Sequence, residues 1–172
     1  MPTKIISGRF KGFPVNTGNY KDLRPTSSRV RSSMFDILGD LHGKDILDLF
    51  AGAGTLGLEA LSRGAESVTF VEKKPRTANL MKKYYNRFDN HQIKVVIKDA
   101  FKFLKNCGKS YDVIIADPPY EKVDLLILKE LSLKCLNKNG KLVIEMQKKE
   151  AVNFTTAKIK TYGDTSVAFF GG

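Results

Sequence analysis

Few side chains in this sequence are of the kinds that bind metal ions or form disulfide bonds. The two cysteines, Cys107 and Cys135, do not make a CxxC pair, and the two histidines, His42 and His91, lie far apart. We therefore expect two small, partly buried cysteines and no metal site. No apolar run approaches the roughly 20 residues of a membrane helix. Residues 1–6 are too short and too polar for a signal peptide, so we expect a cytoplasmic protein.

Acidic residues are also in the minority. Against 29 lysines and arginines stand 18 acids, which gives a net charge of +11. Such a charge favours a polyanionic partner, because phosphate neutralisation gives affinity without sequence recognition; a generally lysine-rich composition is the alternative. Residues 1–44 favour the polyanion, since they hold eight Lys or Arg against three acids, with Phe10, Phe13 and Tyr20 interleaved. This mixture is typical of nucleic-acid-binding surfaces.

The length of 172 residues predicts a single domain over residues 1–172 with a substantial core. Within it we expect residues 1–40 to form a basic hairpin and helix extension and residues 41–172 to form the core. Residues 3–20 are predicted to be a β-hairpin, and a helix follows Arg24, capped by Thr26 or Ser27. Arg29 and Arg31 fall largely off the apolar stripe of that helix. They predict a substrate-binding arm; a solvated helix face is the alternative.

From residue 45 onward, strands and helices alternate, which predicts an α/β fold with a parallel sheet covered on both faces. Predicted strands are residues 45–50, 67–72, 93–98, 111–116, 141–145, 159–162 and 166–170. Predicted helices are residues 55–63, 75–88, 100–106 and 124–136. Polar residues stand at or just inside four strand ends: Asp48, Glu72, Asp99 and Asp117. Because ligands of such sheets bind beyond the carboxyl ends of the strands, these four acids should converge on one crevice.

The glycine-rich segment after the first of these strands has the spacing Gly52-x-Gly54-x-x-Gly57, with Glu72 twenty residues after its first glycine. This pattern is typical of a nucleotide-binding loop, but alone it does not choose between NAD and S-adenosylmethionine. Asp48 favours S-adenosylmethionine. Its carboxylate would repel the pyrophosphate of NAD but would attract the ammonium and sulfonium groups of S-adenosylmethionine. Asp99 can accept a hydrogen bond from an adenine amine; capping the next helix is its alternative role, and both can coexist.

The sequence Asp117-Pro118-Pro119-Tyr120 is not needed for hydride transfer but suits methyl transfer to an amine. The lone pair of an exocyclic amine on a base is delocalised into the ring. The Asp117 carboxylate and the Pro118 carbonyl can accept its hydrogens and return that lone pair to nitrogen. The two prolines hold the loop rigid, and Tyr120 can stack on an unpaired or flipped base. A proline-rich turn capped by Asp117 is the structural alternative.

With both motifs, the chain resembles the class I S-adenosylmethionine-dependent methyltransferases, and more narrowly the RsmD family. That family methylates the N2 amine of a guanine in small-subunit (16S) ribosomal RNA of bacteria. The narrower resemblance covers most of the chain and rests on Arg24-Pro25-Thr26, Arg29-Val30-Arg31, Asp48-Leu49-Phe50-Ala51-Gly52-Ala53-Gly54 and Tyr162-Gly163-Asp164-Thr165. Ser32-Ser33 depart from the family, which usually has Glu and a small residue there. The resemblance implies a Rossmann-like, seven-stranded, mostly parallel sheet whose last strand is antiparallel, with an N-terminal β-hairpin.

The resemblance also implies roles for individual residues. S-adenosylmethionine, without a metal, would contact Asp48, Phe50, Ala51, Gly52, Gly54, Gly57, Glu72, Asp99 and Ala100. The target amine would lie at Asp117, Pro118, Pro119 and Tyr120. RNA would contact Arg9, Lys11, Arg24, Arg29 and Arg31, although the segment from residue 24 to 31 could instead close over the cofactor. The expected partner is 16S rRNA, within the small subunit or its precursor, and we expect a monomer that binds no membrane.

The sequence leaves two other functions open. An adenine-N6 methyltransferase acting on RNA or DNA would use the same amine chemistry. DNA enzymes usually insert a target-recognition region, whereas only residues 121–123 separate Tyr120 from the next predicted helix. A non-catalytic RNA-binding ribosome-assembly factor is the other alternative, and the intact set of site residues argues against it.

Overall fold

The computed structural model describes residues 3–15, 26–85, 88 and 92–171. Its strands are β1 Thr3–Lys4, β2 Pro14–Val15, β3 Asp45–Leu49, β4 Ser67–Glu72, β5 Ile93–Ile97, β6 Tyr111–Ala116, β7 Leu136–Gln147, β8 Lys158–Tyr162 and β9 Thr165–Phe170. Its helices are α1 Ser28–Leu38, α2 Thr55–Ser62, α3 Pro75–Tyr85, α4 Ala100–Lys105 and α5 Leu125–Leu133, and a 3-10 helix covers Lys148–Asn153. Among these described elements, no helix has the length and apolarity needed to cross a membrane.

The central sheet has seven strands in the order β5-β4-β3-β6-β7-β9-β8. Strands β3 to β7 are parallel, and β9 lies antiparallel to β7 and β8. From β3 the chain proceeds outward to β4 and β5, then returns to the other side of β3 to form β6 and β7. The strand order therefore reverses between β3 and β6, which is where ligands bind in sheets of this type. The expected Rossmann-like methyltransferase fold is confirmed, including its antiparallel last strand.

Alternate side chains of each strand enter two apolar cores, because successive side chains of a strand point to opposite faces. One core lies between the sheet and α1, α2, α3 and the β1–β2 hairpin, and Phe35, Leu61 and Phe70 are among its largest buried side chains. The other lies between the sheet and α4, α5 and the 3-10 helix, and it contains Leu104, Leu128 and Phe154. Helices thus cover both faces, as the continuous apolar strands predict.

The N-terminal hairpin packs against the end of α2 and gains its stability there. Backbone N–H groups of residues 6–7 donate to the two carboxylate oxygens of Glu59 at 2.8 and 3.1 Å. The N–H of Arg9 donates to the carbonyl of Ser62 at 2.9 Å. Gly8 has φ of 82°, and a Cβ there would lie 1.9 Å from that same carbonyl oxygen, so only glycine fits. The predicted hairpin is present over its described part; residues 16–20 lie outside the described residues.

Arg31 is buried, although the sequence predicts it on a free basic face of α1 that contacts RNA. Its side chain is 0% exposed, its Nε lies 3.6 Å from Oε2 of the equally buried Glu59, and its guanidinium donates to the Lys4 carbonyl at 2.6 Å. Burial lowers the pKa of Arg31, and the charge of Glu59 opposes that shift. The prediction that Arg31 lies on a free basic face is wrong, because it shares one helix face with Phe35 and Leu38, four and seven residues later. It joins the hairpin and α1 to α2.

Most predicted element boundaries are confirmed, and β4 and β6 have the predicted limits. Three boundaries, in two elements, are wrong by two residues or more. The helix predicted over residues 124–136 ends at Leu133, and the strand predicted over residues 141–145 runs from Leu136 to Gln147. The predicted turn at Asn139 is instead an irregularity within β7, where Asn139 has φ of 64° and the register with β6 shifts. Helix α3 is described to Tyr85, whereas residues 86 and 87 of its predicted extent lie outside the described residues.

Candidate functional site

A cavity of about 350 Å³ opens at the point where the strand order reverses, between β3 and β6. Of the predicted cofactor residues, it is lined by Asp48, Phe50, Ala51, Gly52, Glu72 and Ala100. All four predicted catalytic residues, Asp117, Pro118, Pro119 and Tyr120, line the same cavity. The volume lies in the usual range for a small-molecule site. The strand-end rule therefore predicts the location of this cavity from the sequence.

Asp48 stands on β3 at the floor of this cavity and is 1% exposed. Its Oδ2 accepts a hydrogen bond from the Gly57 N–H at 2.9 Å. Burial, with the charges of Asp117 and Glu72, raises the pKa of Asp48 to about 8, and the Gly57 hydrogen bond only partly opposes this. A carboxylate held in this way is ready to ionise beside a cationic ligand.

The loop after β3 holds a constrained backbone against the cavity. Phe50 has φ of 57°, unusual for a bulky side chain, and Gly52 has φ of 55°. The Gly52 N–H donates to Oε2 of Glu72 at 2.9 Å, and Oε1 of Glu72 accepts from the Lys74 N–H at 2.8 Å. The hydroxyl of Tyr85 donates to the carbonyl of Ala53. Glu72 therefore fixes the loop from the neighbouring strand while it also lines the cavity.

Gly54 and Gly57 pack beneath the loop and do not line this cavity. A Cβ at Gly57 would lie 2.3 Å from the Phe70 ring, and one at Gly54 would lie 3.0 Å from the same ring. Gly54 also has φ of 76°, in the left-handed region. Their predicted contact with the cofactor stays a prediction. Both glycines have a packing role, because they let α2 approach β4 closely enough for the Gly57 N–H to reach Asp48.

Asp99 caps α4, because its side chain accepts from the Lys102 N–H at 3.1 Å. Its neighbours Lys98 and Ala100 line the cavity, whereas Asp99 itself is not part of that lining. The capping role foreseen for Asp99 is confirmed. Its contact with an adenine amine stays a prediction.

The loop after β6 places a carboxylate opposite Asp48. Asp117 accepts a hydrogen bond on Oδ2 from the hydroxyl of Thr26 at 2.8 Å. Pro118 is buried, and the hydroxyl of Tyr120 lies 3.3 Å from Oε1 of Glu145. The loop ends at Glu121, a second non-glycine residue in the left-handed region, with φ of 58°. Thr26 therefore holds Asp117, burial holds Pro118, and Glu145 holds the hydroxyl of Tyr120, so the loop keeps one arrangement.

Among the lining residues that were not predicted as site residues, Thr26 and Glu145 contact the loop from Asp117 to Tyr120. Thr26 was one of two candidates for capping α1 and belongs to the segment expected to contact RNA or close over the cofactor. Ser27 caps α1, because its side chain accepts from the Val30 N–H at 3.2 Å. The contact of Thr26 with Asp117 joins residues 91 positions apart, and the sequence carries no signal for it. Glu145 did have a signal, because it stands near the carboxyl end of a strand like the four acids already selected.

The residues predicted to contact RNA are not all placed as expected. Arg9, Lys11 and Arg29 are exposed, and Arg9 lies over the Phe10 ring at 4.6 Å while it donates to Gln92 at 2.9 Å. Arg31 is buried, as described above. Arg24 lies outside the described residues, as does Tyr20. Four exposed lysines also line the cavity and were not predicted to do so: Lys73, Lys74, Lys98 and Lys122.

Comparisons with known proteins agree with this geometry. The family model described as Conserved hypothetical protein 95 matches residues 3–171. The chain is 34% identical over 166 residues to Ribosomal RNA small subunit methyltransferase D of Buchnera aphidicola subsp. Acyrthosiphon pisum (strain APS), and the match covers 91% of this chain and 86% of that protein. It is 33% identical over 180 residues to the protein of the same name from Haemophilus influenzae, covering 97% and 92% of the two chains.

A solved structure shows the same likeness in three dimensions. The protein yhhF from Escherichia coli superposes with a TM-score of 0.87 at 26% identity, over 99% of this chain and 98% of that one. The family predicted from the motifs is therefore confirmed. The chain belongs to the family described as Conserved hypothetical protein 95, that of the ribosomal RNA small subunit methyltransferase D (RsmD) proteins.

Proposed function

We propose that this protein transfers a methyl group from S-adenosylmethionine to the exocyclic N2 amine of a guanine in small-subunit (16S) ribosomal RNA. One observation carries the proposal: Asp48 and the loop from Asp117 to Tyr120 line the same cavity. A direct transfer needs its donor and acceptor sites side by side. The names of the two relatives, which are small-subunit ribosomal RNA methyltransferases, support this substrate class.

The side chains of the cavity suit S-adenosylmethionine. Asp48 would face its cationic groups. Glu72 uses one lone pair of each carboxylate oxygen on a backbone N–H and keeps others for ribose hydroxyls. Ala100, at the start of α4, would lie beside the adenine. When bound, this cofactor supplies a methyl group activated on a sulfonium.

Asp117 and Pro118 prepare the acceptor. The Asp117 carboxylate and the Pro118 carbonyl accept hydrogen bonds from the two N–H groups of the N2 amine. The lone pair of the amine is then localised on nitrogen instead of delocalised into the ring. Asp117 and Pro118 would hold the amine so that this lone pair faces the methyl group that S-adenosylmethionine, held at Asp48 and Glu72, would supply. The nitrogen then loses one proton, through the Asp117 carboxylate, to water. Thr26 fixes the direction of that carboxylate, so most of the catalytic advantage is positioning and electrostatics.

The exposed Arg9, Lys11 and Arg29 would contact RNA phosphates around the site, and Arg24 stays a prediction for the same role. The proposed partner is the 16S rRNA in the small ribosomal subunit or its precursor, and the proposed state is a monomer in the cytoplasm. That residues 1–172 form one domain, with residues 1–40 as an extension of the core, also stays a prediction.

Mass-spectrometric mapping of methylated nucleotides in 16S rRNA tests the proposal. A strain that lacks this protein should lose one N2-methylguanine, and wild-type protein should restore it. Asp117→Ala should not restore it, although its affinity for S-adenosylmethionine should stay within about threefold of wild type, because Asp117 holds the acceptor rather than the donor. The exposed Asp36→Ala is the matched control and should restore the modification.

Two other outcomes would replace the proposal. Loss of an N6-methyladenine instead would make the protein an adenine methyltransferase. Failure of the purified protein to bind S-adenosylmethionine by calorimetry would favour a non-catalytic RNA-binding protein.

A further inference from the structure

A second cavity, of about 410 Å³, shares Glu145 with the first. Its walls come from Arg29 at the start of α1 and from residues 161–165 in the β8–β9 turn. Glu145 is 4% exposed and is the carboxylate at the boundary of the two cavities. Neither cofactor binding nor the transfer described above requires an acid at this position.

Glu145 stands directly beside the catalytic carboxylate. Ala116 of β6 pairs with Ile144 of β7, so Asp117 and Glu145 are the next residues of two parallel neighbours. Adjacent strands lie about 4.8 Å apart, and residues in register point to the same face. The hydroxyl of Tyr120 lies 3.3 Å from Oε1 of Glu145 and 3.3 Å from Oγ1 of Thr165, which positions the acid. A base whose amine is bound at Asp117 would therefore place the ring atom next to that amine near Glu145.

We infer that Glu145 selects guanine by accepting a hydrogen bond from the ring N1–H next to the target amine. This inference rests on the proposed function and assigns to Glu145 the choice of guanine over adenine. A carboxylate is only an acceptor when ionised, and its two oxygens have about four lone-pair sites, so a base N–H can share it with donors from the protein. Guanine offers two neighbouring donors on one edge, the N2 amine and N1–H. Two neighbouring carboxylates, Asp117 and Glu145, match those two donors.

Adenine does not offer the same two donors. The ring nitrogen next to its N6 amine, also N1, is an acceptor, so it would set a lone pair against the Glu145 carboxylate. A site built to receive a hydrogen bond rejects analogues that lack the donor by factors of about 10⁴. Glu145 would thus separate the guanine and adenine alternatives that the loop from Asp117 to Tyr120 leaves open.

The second cavity also leaves space for the rest of the nucleotide. Arg29 on its wall supplies a positive charge for a phosphate, and the β8–β9 turn offers hydroxyl and backbone groups. The carboxylate of Asp164 lies on the same turn, so a phosphate would bind on the side of Arg29. The base would lie at Glu145, where the two cavities meet, and the sugar and phosphate of the nucleotide would lie in the second cavity, toward α1.

The test compares guanine with 2-aminopurine, which keeps the 2-amine but has an acceptor at N1. Once mapping identifies the modified nucleotide, 16S rRNA is assembled by ligation with either base at that position. Wild-type protein should methylate the guanine RNA at least about 100-fold faster in kcat/KM. Glu145→Gln can donate to the N1 acceptor, so it should slow the guanine reaction, accelerate the 2-aminopurine reaction, and bring their ratio within about tenfold.

Two controls separate recognition from structure. Glu145→Gln should bind S-adenosylmethionine as wild type does, and Glu130→Gln, an exposed change on α5, should keep the wild-type ratio. An unchanged ratio in a folded Glu145→Gln protein would overturn the inference, since a merely structural acid would slow both RNAs equally. Wild-type discrimination under about threefold would also overturn it, whether or not the variant folds. Wild-type protein that methylates no guanine at all refutes the proposed function first.

Discussion

Binding of S-adenosylmethionine should release a proton from Asp48. Burial and the nearby charges of Asp117 and Glu72 raise the pKa of this carboxyl to about 8. At pH 7, only about one molecule in ten is then ionised, and at pH 6 about one in a hundred. A cationic ligand prefers the ionised form, and its apparent affinity is reduced by the fraction that is competent. We therefore expect the Kd to rise about tenfold from pH 7 to pH 6, with about 0.9 proton released per cofactor at pH 7.

Isothermal titration calorimetry in two buffers of different ionisation enthalpy measures both quantities. Asp48→Asn should bind weakly at every pH and release no proton, while the exposed Asp36→Asn should behave as wild type does. A wild-type Kd that is flat between about pH 6 and about pH 7.5 would refute the link. The same shift fixes a sign for the free protein: its folded state holds the Asp48 proton more tightly than the unfolded chain. The free energy of unfolding should therefore fall as the pH rises from about 4 to about 8.

Three further predictions concern the surroundings of the site. Thr26→Val should lower kcat about tenfold or more with little change in cofactor affinity, because Asp117 loses its hydroxyl donor; Thr26→Ser should keep most of the rate. Glu59→Gln should lower the free energy of unfolding in urea by about 3–5 kcal/mol, because Arg31 is left as an uncompensated buried charge; a loss under about 1 kcal/mol would contradict the buried pair. Arg29→Glu should weaken RNA binding and flatten its dependence on salt without lowering stability, and unchanged RNA affinity would make that surface merely solvated.

The parts of this protein that the sequence predicts are those governed by local patterns. β6 is a continuous apolar run that ends in Asp117, so its limits and the direction of its last residue follow from the alternation of the strand. The same holds for β4 and Glu72. The strand-end rule then brings Asp48, Glu72 and Asp117 together without knowledge of the strand order, because all carboxyl ends of parallel strands share one edge.

The parts that could not be predicted depend on contacts between distant residues. Arg31 looks like a surface residue until Glu59 on α2 is known to be buried opposite it. Thr26 meets Asp117 only because α1 docks beside the end of β6. β7 is longer than expected because Asn139, typical of a turn, adopts a left-handed backbone conformation inside the strand. Glu145 is the last residue of a predicted strand, as Glu72 is, so the strand-end rule predicts its place at the cavity from local pattern alone.

The hydrogen bond from Thr26 to Asp117 limits how freely this enzyme can be rearranged. Residues 1–40 would otherwise be a detachable module for delivering RNA, exchangeable between related proteins. Because Thr26 holds Asp117, the proposed catalytic carboxylate, and Arg31 shares Glu59 with the hairpin, an exchanged segment also exchanges contacts of the proposed active site. A chimera that takes this segment from a relative therefore has to keep a hydroxyl at position 26 and a cation at position 31. If the proposed roles hold, the segment for RNA contact and the support of Asp117 have to change together.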